Sequence, residues 1–131
     1  LENTTSKMVF PAKSDYIRPL RLASSAVASQ AGFNMDEIED LKLIASQAFI
    51  LLMLEESRYI EVIITENRYS LDMTFDSMEY RDGSCKMEDS SVLRKALTKS
   101  LTGKHCTIEK GKVTARIIPN ALNGCRNLKT Y

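Results

Sequence analysis

Few side chains in this sequence are placed to do covalent chemistry. His105 is the single histidine and has no Cys–His or Ser–His pattern near it. It reads as a strand-start residue without a catalytic task. Ser24, Ser25 and Ser29 share one helical stretch but have no adjacent base, which argues against nucleophilic catalysis. Cys85, Cys106 and Cys125 are odd in number, widely spaced and lack a CxxC pair. They read as reduced thiols of a cytoplasmic protein, not as a disulfide frame or a zinc site. Met78, Tyr80 and Met87 could cover a binding surface, although methionine fills core gaps as readily. Arg21, by residue type alone, reads as a solvated arginine on the polar side of a helix.

The element that must position these groups is a helix from Asn34 to about Glu56. Asn34 is a good N-cap, and Glu37 stands three residues later, where it can reach back to the cap. Phe33 and Ile38 are spaced for a hydrophobic staple. Asp36, Glu37 and Glu39 fall in the first turns, where the helix dipole favours negative charge. Ile38, Leu41, Ala45, Ala48 and Leu52 keep the rhythm of one buried face. From Leu43 onward nearly every position to Leu54 is apolar, except Ser46 and Gln47. The second half of this helix is therefore expected to be buried on most sides.

Around it, residues 7–10 read as a first strand ending at Pro11. Ser14 or Asp15 opens a first helix with the stripe Ile17, Leu20, Ala23, Val27 and Ala31. Pro19 delays or bends its first turn, and Gly32 closes it in the left-handed region. Residues 58–65 form a β-branched strand, followed by a turn at Glu66 and Asn67. Tyr69, Leu71, Met73 and Phe75 alternate with polar residues as a half-buried strand. Residues 77–89 are polar, with a turn at Asp82 and Gly83. Residues 90–101 form a short helix with Leu93, Leu97 and Leu101 on one stripe, ended by Gly103. Residues 105–109 and 112–118 pair as a hairpin across Lys110 and Gly111, and Pro119 ends the sheet. The order βααββαββ implies helices on one face of a mixed, mostly antiparallel sheet, a two-layer α+β sandwich.

The 131 residues suit a single domain, with tails at 1–6 and 120–131. A net charge of +1 gives no electrostatic case for nucleic acid or an anionic membrane. The longest apolar run, residues 49–54, is far too short to cross a bilayer. No signal-peptide pattern is present, and a first residue Leu1 instead of Met reads as a trimmed chain.

Residues 10–17 (FPAKSDYI), Arg21 and Leu22, residues 27–29 (VAS) and residues 36–42 (DEIEDLK) together resemble the start of the bacterial anti-sigma factor serine kinases. That family belongs to the ATPase superfamily of gyrase, histidine kinases and mismatch-repair ATPases. The resemblance is dense from Val9 to Phe49 and thin afterwards. It implies the histidine-kinase-type ATPase fold and a homodimer. In that family the long helix continues Ser-Glu-Ala-x-x-Asn, the Glu being general base and the Asn a Mg²⁺ ligand. Here Gln47 stands at the base position and Leu51 at the metal position. A carboxamide takes up no proton near neutral pH, and a leucine offers a metal no oxygen.

The family's Asp-x-Gly-x-Gly motif, whose Asp reads the adenine amino group, falls where this chain has Asp76 and no following glycine. Asp76 reads as a remnant of that motif or as an ordinary strand-end turn residue. The glycine-rich phosphate turn falls at Asp89, Ser90 and Ser91, also without glycine. Asp89 or Ser90 then serves as a helix cap, and Asp89 sets a negative charge where phosphates would approach. The resemblance also puts Arg21 on a partner-docking face, with Ser14, Arg18 and Ser25 near it at helical steps.

The resulting expectation is a binding module that holds a sigma factor or an anti-anti-sigma protein and needs no ATP or Mg²⁺. The alternatives are a divergent serine kinase that still uses ATP and Mg²⁺, and a dimerisation or scaffold domain of a signalling system.

Overall fold

The computed structural model describes residues 4–68, 70–80, 91–103 and 106–118, with the side chains of residues 79, 80 and 91 left aside. The chain runs β1 (Thr4–Pro11), a 3-10 turn (Ser14–Tyr16), α1 (Ile17–Gln30), α2 (Met35–Leu54), β2 (Ser57–Glu66) and β3 (Leu71–Tyr80). It continues through α3 (Ser91–Thr102), β4 (Cys106–Glu109) and β5 (Lys112–Ile117). The strands form one sheet in the order β1-β2-β3-β5-β4. Each described pairing is antiparallel, so the mixed character expected of the sheet is not used among these residues.

Strand alternation decides which side chains meet the helices. Ile60, Val62 and Ile64 of β2, Leu71, Met73 and Phe75 of β3, and Val113, Ala115 and Ile117 of β5 are buried. α2 lies across β2, β3 and β5, α1 packs on α2, and α3 packs on α2 and β4. The result is a two-layer α+β sandwich. No helix among the described residues is long and apolar enough to cross a membrane.

Both ends of the α1–α2 hairpin are set by local chemistry. Gly32 has φ 92°, where a Cβ would be strained. The Phe33 N–H donates to the Ala28 carbonyl and the Gly32 N–H to that of Ser29, each at 3.0 Å, closing α1 in a Schellman motif. Two residues on, the Glu37 N–H donates to Asn34 Oδ1 at 2.9 Å and the Asn34 N–H to Glu37 Oε1 at 2.8 Å. This is the capping box expected at the start of α2. Gly111, at φ 77°, turns the β4–β5 hairpin.

Several expectations shift. β1 begins at Thr4, so residues 4–6 belong to the sheet and not to a tail. The fully buried positions of α1 are Leu20, Ser24 and Ala28, while Ile17, Ala23, Val27 and Ala31 are only partly covered. α1 therefore turns its small residues toward α2, which lets the two helices approach closely. Ser24 Oγ is the one buried side-chain polar atom without a partner among the described residues. Leu93 is exposed, and only Leu97 and Leu101 of its stripe are buried. β3 does not end at Phe75 but runs on to Tyr80. The readings placed on Tyr69, Tyr80, the turn at Asp82 and Gly83, Cys85, Met87, His105, Pro119, Cys125 and residues 120–131 lie outside the described residues or side chains.

The sheet face away from the helices is polar and held by cross-strand pairs. Arg116 donates from Nε to Asp72 Oδ1 at 2.9 Å and from Nη2 to Asp72 Oδ2 at 3.1 Å, and Asn67 adds a bond at 2.7 Å. The Arg116 hydrogen bond, more than any other cause, holds the Asp72 carboxyl below the usual aspartate range. A depressed folded-state pKa contributes stability that is present above the unfolded value, about 3.9. It is lost as pH falls through the folded value. Asp72→Asn is accordingly expected to lower the melting temperature slightly at pH 7, since Arg116 is largely exposed and Asp72 only half-buried. The difference from the parent should shrink as pH falls below the unfolded value of about 3.9 and through the depressed folded-state pKa. Melting curves across pH 2–7 check this, and a difference that persists undiminished at the acid end would contradict it.

Candidate functional site

The site positions fall on one stripe of α2. Gln47, Leu51 and Glu55 follow at four-residue steps, so their side chains stand one above another. Gln47 is half-buried and its Oε1 accepts a hydrogen bond from Ser100 Oγ of α3 at 3.2 Å. Leu51 is 1% exposed. Glu55, at the C-cap of α2, is buried, and its Oε2 accepts from Arg94 Nη2 of α3. Its Oε1 accepts from the Gly111 backbone N–H at 3.0 Å. The Glu55–Arg94 and Gln47–Ser100 pairs set α3 antiparallel to α2. Leu51 lies midway between Gln47 and Glu55, and Leu97, itself buried, lies midway between Arg94 and Ser100. The face carrying Gln47 and Leu51 is thus packed under α3.

Asp76 does not join this face. It lies inside β3, between the inward-facing Phe75 and Ser77, and its register partners are Glu61 and Lys112. Alternation sends its side chain to the polar side of the sheet, where Lys112 Nζ stands 3.9 Å from its carboxylate. Asp76 is therefore not the strand-end residue expected, because β3 continues past it. Ser77 stays on the helix side and hydrogen-bonds Ser57, whose hydroxyl donates to the Leu52 carbonyl at 3.0 Å. Ser90 lies outside the described residues, as does the Asp89 cap; Ser91 is the first residue of α3, and its side chain also lies outside. No cluster of three or more His, Cys, Asp or Glu able to hold a metal occurs among the described residues. Leu51 supplies no oxygen and Asp76 faces away, so the described positions do not fit a Mg²⁺-bound nucleotide.

The second candidate group surrounds α1. Ser14, in the 3-10 turn, and Arg18 are exposed. Arg21 is half-buried and leans on α2, where its Nη1 donates to Ser46 Oγ at 3.4 Å. Ser46 in turn donates to the Lys42 carbonyl at 2.8 Å. The Lys42 hydrogen bond and charge hold the Glu39 carboxyl below its ordinary value, with a smaller contribution from Arg21. Arg21 thus stands over the α1–α2 seam, close to the acidic start of α2. Ser25 is half-buried and bonds the Leu22 carbonyl at 2.9 Å, leaving Leu22 62% exposed beside it.

Glu55 and Arg94 are the residues that sequence reasoning passed over. Their partnership spans 39 positions and has no local pattern. One signal was available: an acid at the carboxyl end of an apolar helix sits where the dipole disfavours it, so it needs a cation.

No family model matches the chain. Among curated proteins it is similar to several named serine-protein kinase RsbW. That of Halalkalibacterium halodurans is 30% identical over 102 residues, 65% of this chain and 62% of the relative. That of Bacillus thuringiensis is 30% identical over 93 residues, 59% and 56% of the two. That of Bacillus subtilis is 48% identical over 42 residues, 32% and 26% of the two. The chain therefore spans less than two thirds of the length of the curated relatives it matches.

A polar amide at position 51 would lose the apolar contacts of a closed core. Leu51→Asn is expected to destabilise the fold by about 3 kcal/mol. Gln47→Glu, in contrast, would keep an acceptor for Ser100. Denaturant titration of each variant checks this, and an unchanged midpoint for Leu51→Asn would mean that α3 does not cover the position.

Proposed function

The chain is a distant relative of the anti-sigma factor serine kinases, and from that kinship we propose that it is an anti-sigma-factor-like binding module that works without ATP. It would hold a sigma factor or an anti-anti-sigma protein by surface complementarity. The observation that carries this reading is the α2 stripe. Its base position is a carboxamide bonded to Ser100, and its metal position is a leucine sealed in the core. Asp76 on the far side of the sheet supports it further. With no proton acceptor and no metal ligand at these two positions, neither Mg²⁺ nor ATP is part of the proposed mechanism.

The docking face in this reading is the exposed side of α1 around Arg18, Arg21, Ser14 and Ser25, with Leu22 as an apolar neighbour. Arginine can grip a partner carboxylate through two parallel bonds, and charges at a rim steer encounter. Control then cannot run through phosphorylation of the antagonist by this chain. It comes from competition between partners or from the module's abundance. A homodimer is also part of the proposal. β1 is a sheet edge, and Val9 on it is 50% exposed, which leaves an apolar edge strand to be covered.

A second reading, a divergent serine kinase acting on an anti-anti-sigma protein, draws on the relatives' own name, serine-protein kinase. It needs ATP and Mg²⁺ held by groups other than Gln47 and Leu51. A dimerisation or scaffold domain is the third.

Calorimetry against the sigma factors and anti-anti-sigma proteins of the source organism tests the first reading. Submicromolar binding to one of them, unaffected by Mg·ATP, is expected. Arg21→Glu should weaken it at least about tenfold, roughly 1.4 kcal/mol. Because the new carboxylate would stand near Glu39, a loss of a few degrees in melting temperature is expected as well. Unchanged affinity would remove Arg21 from the docking face, and transfer of phosphate to a partner serine would favour the kinase. Sedimentation at micromolar concentration should show the dimer, and a clean monomer would count against it.

A further inference from the structure

Glu55 does something that neither the kinship nor the proposed binding role requires. It is a carboxylate held in the protein interior at the carboxyl end of α2, where the helix dipole is unfavourable to negative charge. A buried charge is tolerated only when it is paired and its lone pairs are used. Glu55 meets both conditions with groups from distant parts of the chain. Oε2 takes the Arg94 guanidinium of α3, and Oε1 takes the Gly111 N–H at the β4–β5 turn. The Gly111 carbonyl in turn accepts from the Ser77 N–H of β3 at 2.8 Å, so the turn is fixed to the sheet.

The backbone around Glu55 is shaped to present it. Glu56 is the single non-glycine residue with positive φ among the described residues, at 62°. A left-handed residue at this point ends α2 sharply, and for a glutamate it carries strain. The Glu56 N–H donates to the Met53 carbonyl, and the Ser57 hydroxyl caps the Leu52 carbonyl. The helix therefore stops at Leu54 with Glu55 as its C-cap, and the Glu55 carboxylate is aimed at the gap between α3 and the hairpin turn.

α3 has few other polar ties to the rest of the molecule among the described residues. Ser100 bonds Gln47, and beyond that its inward face is Leu97 and Leu101. Arg94 lies at the end of α3 that Leu97 and Leu101 do not anchor, beside the exposed Val92 and Leu93. Without Glu55, that first turn has no other polar tie to α2 among the described residues, and without Arg94, Glu55 would be a buried charge with no counter-ion.

We propose that Glu55 is a latch that docks the first half of α3 on the carboxyl-terminal end of the α2 stripe, beyond Leu51, making α3 a helix whose closed position is built into the chain and needs no bound ligand. When the Glu55–Arg94 pair is broken, α3 lifts from α2 at its amino-terminal end, while α1, α2 and the β1–β3 part of the sheet stay folded. The inference rests on the geometry of Glu55, Arg94 and Gly111 alone. Binding of Mg·ATP to the parent protein would overturn the function proposed above and leave the latch untouched.

Hydrogen exchange on the full chain tests it with two variants. Glu55→Gln keeps the shape and an acceptor for Gly111 but removes the charge. Arg94→Met keeps the apolar stem and removes the guanidinium, at a partly exposed position that tolerates change. In either variant the amides of residues 94–98 should lose protection by roughly tenfold or more, with those of β2 and of residues 41–52 changing much less. Should Glu55→Gln fail to fold, Arg94→Met decides alone. Unchanged protection in α3 would overturn the latch. An equal loss in α3, α2 and β2 would also overturn it, because Glu55 would then support the whole fold and not the docking of one helix.

Discussion

Burial of the second half of α2 on nearly every side is the constraint from which the rest of the structure follows. From Ile44 to Leu52 every position except Gln47 and Ile50 is buried. Such a helix must be wrapped, and the chain supplies a wrapper for each face: α1 on one side, the sheet beneath and α3 on another. The elements around it are tuned to that task. α1 offers Ser24 and Ala28, small enough for close approach, and β2, β3 and β5 offer branched and aromatic side chains on one face only. Each completely buried leucine or phenylalanine here contributes about 1.5–3 kcal/mol of transfer free energy, so no single cross-strand ion pair competes with this core.

A helix wrapped in this way has little room for chemistry along its length. Polar groups on it must either reach its ends or find partners inside. The amino-terminal end solves this with the Asn34–Glu37 capping box, and Asp36 and Glu39 remain solvated. The middle solves it by giving up polar groups at Leu51 and by matching Gln47 to Ser100. The carboxyl-terminal end solves it with Glu55, whose charge is balanced by an arginine brought from α3. The same physics links stability and function. A stripe that could have opened onto a ligand is instead part of the hydrophobic core, and the polar groups of the described residues are left to the outer sides of the helices and the far face of the sheet.

Much of this was legible in the sequence, and the parts that were not share a cause. The order of elements, the capping box, the Gly32 terminus, the β4–β5 turn and the buried face of α2 all rest on signals within a few residues. The helix-facing set of β3 was also readable, since Leu71, Met73 and Phe75 alternate cleanly. What failed was the strand's end. Ser77 and Met78 continue the strand but lack β-branched character, so Asp76 was read as following β3 when it lies within it. Read as a turn residue, it gave no sign that alternation within β3 sends its side chain to the polar side of the sheet. Leu93 was assigned to the core by spacing alone, yet it lies on the first turn of α3, where α2 has ended. The Glu55–Arg94 pair needs tertiary proximity, which no local pattern encodes.

The central claim is that the Gln47–Leu51 face is closed core and not a nucleotide site. Its most direct test is the melting temperature of the intact chain titrated with Mg·ATP, because a ligand of the native state raises it with the logarithm of ligand concentration once that exceeds the dissociation constant. No rise is expected at millimolar Mg·ATP, by the same measure that would register about 2.7 kcal/mol at a hundredfold excess over the dissociation constant. A rise that sets in at micromolar Mg·ATP and keeps growing with its concentration would contradict the account.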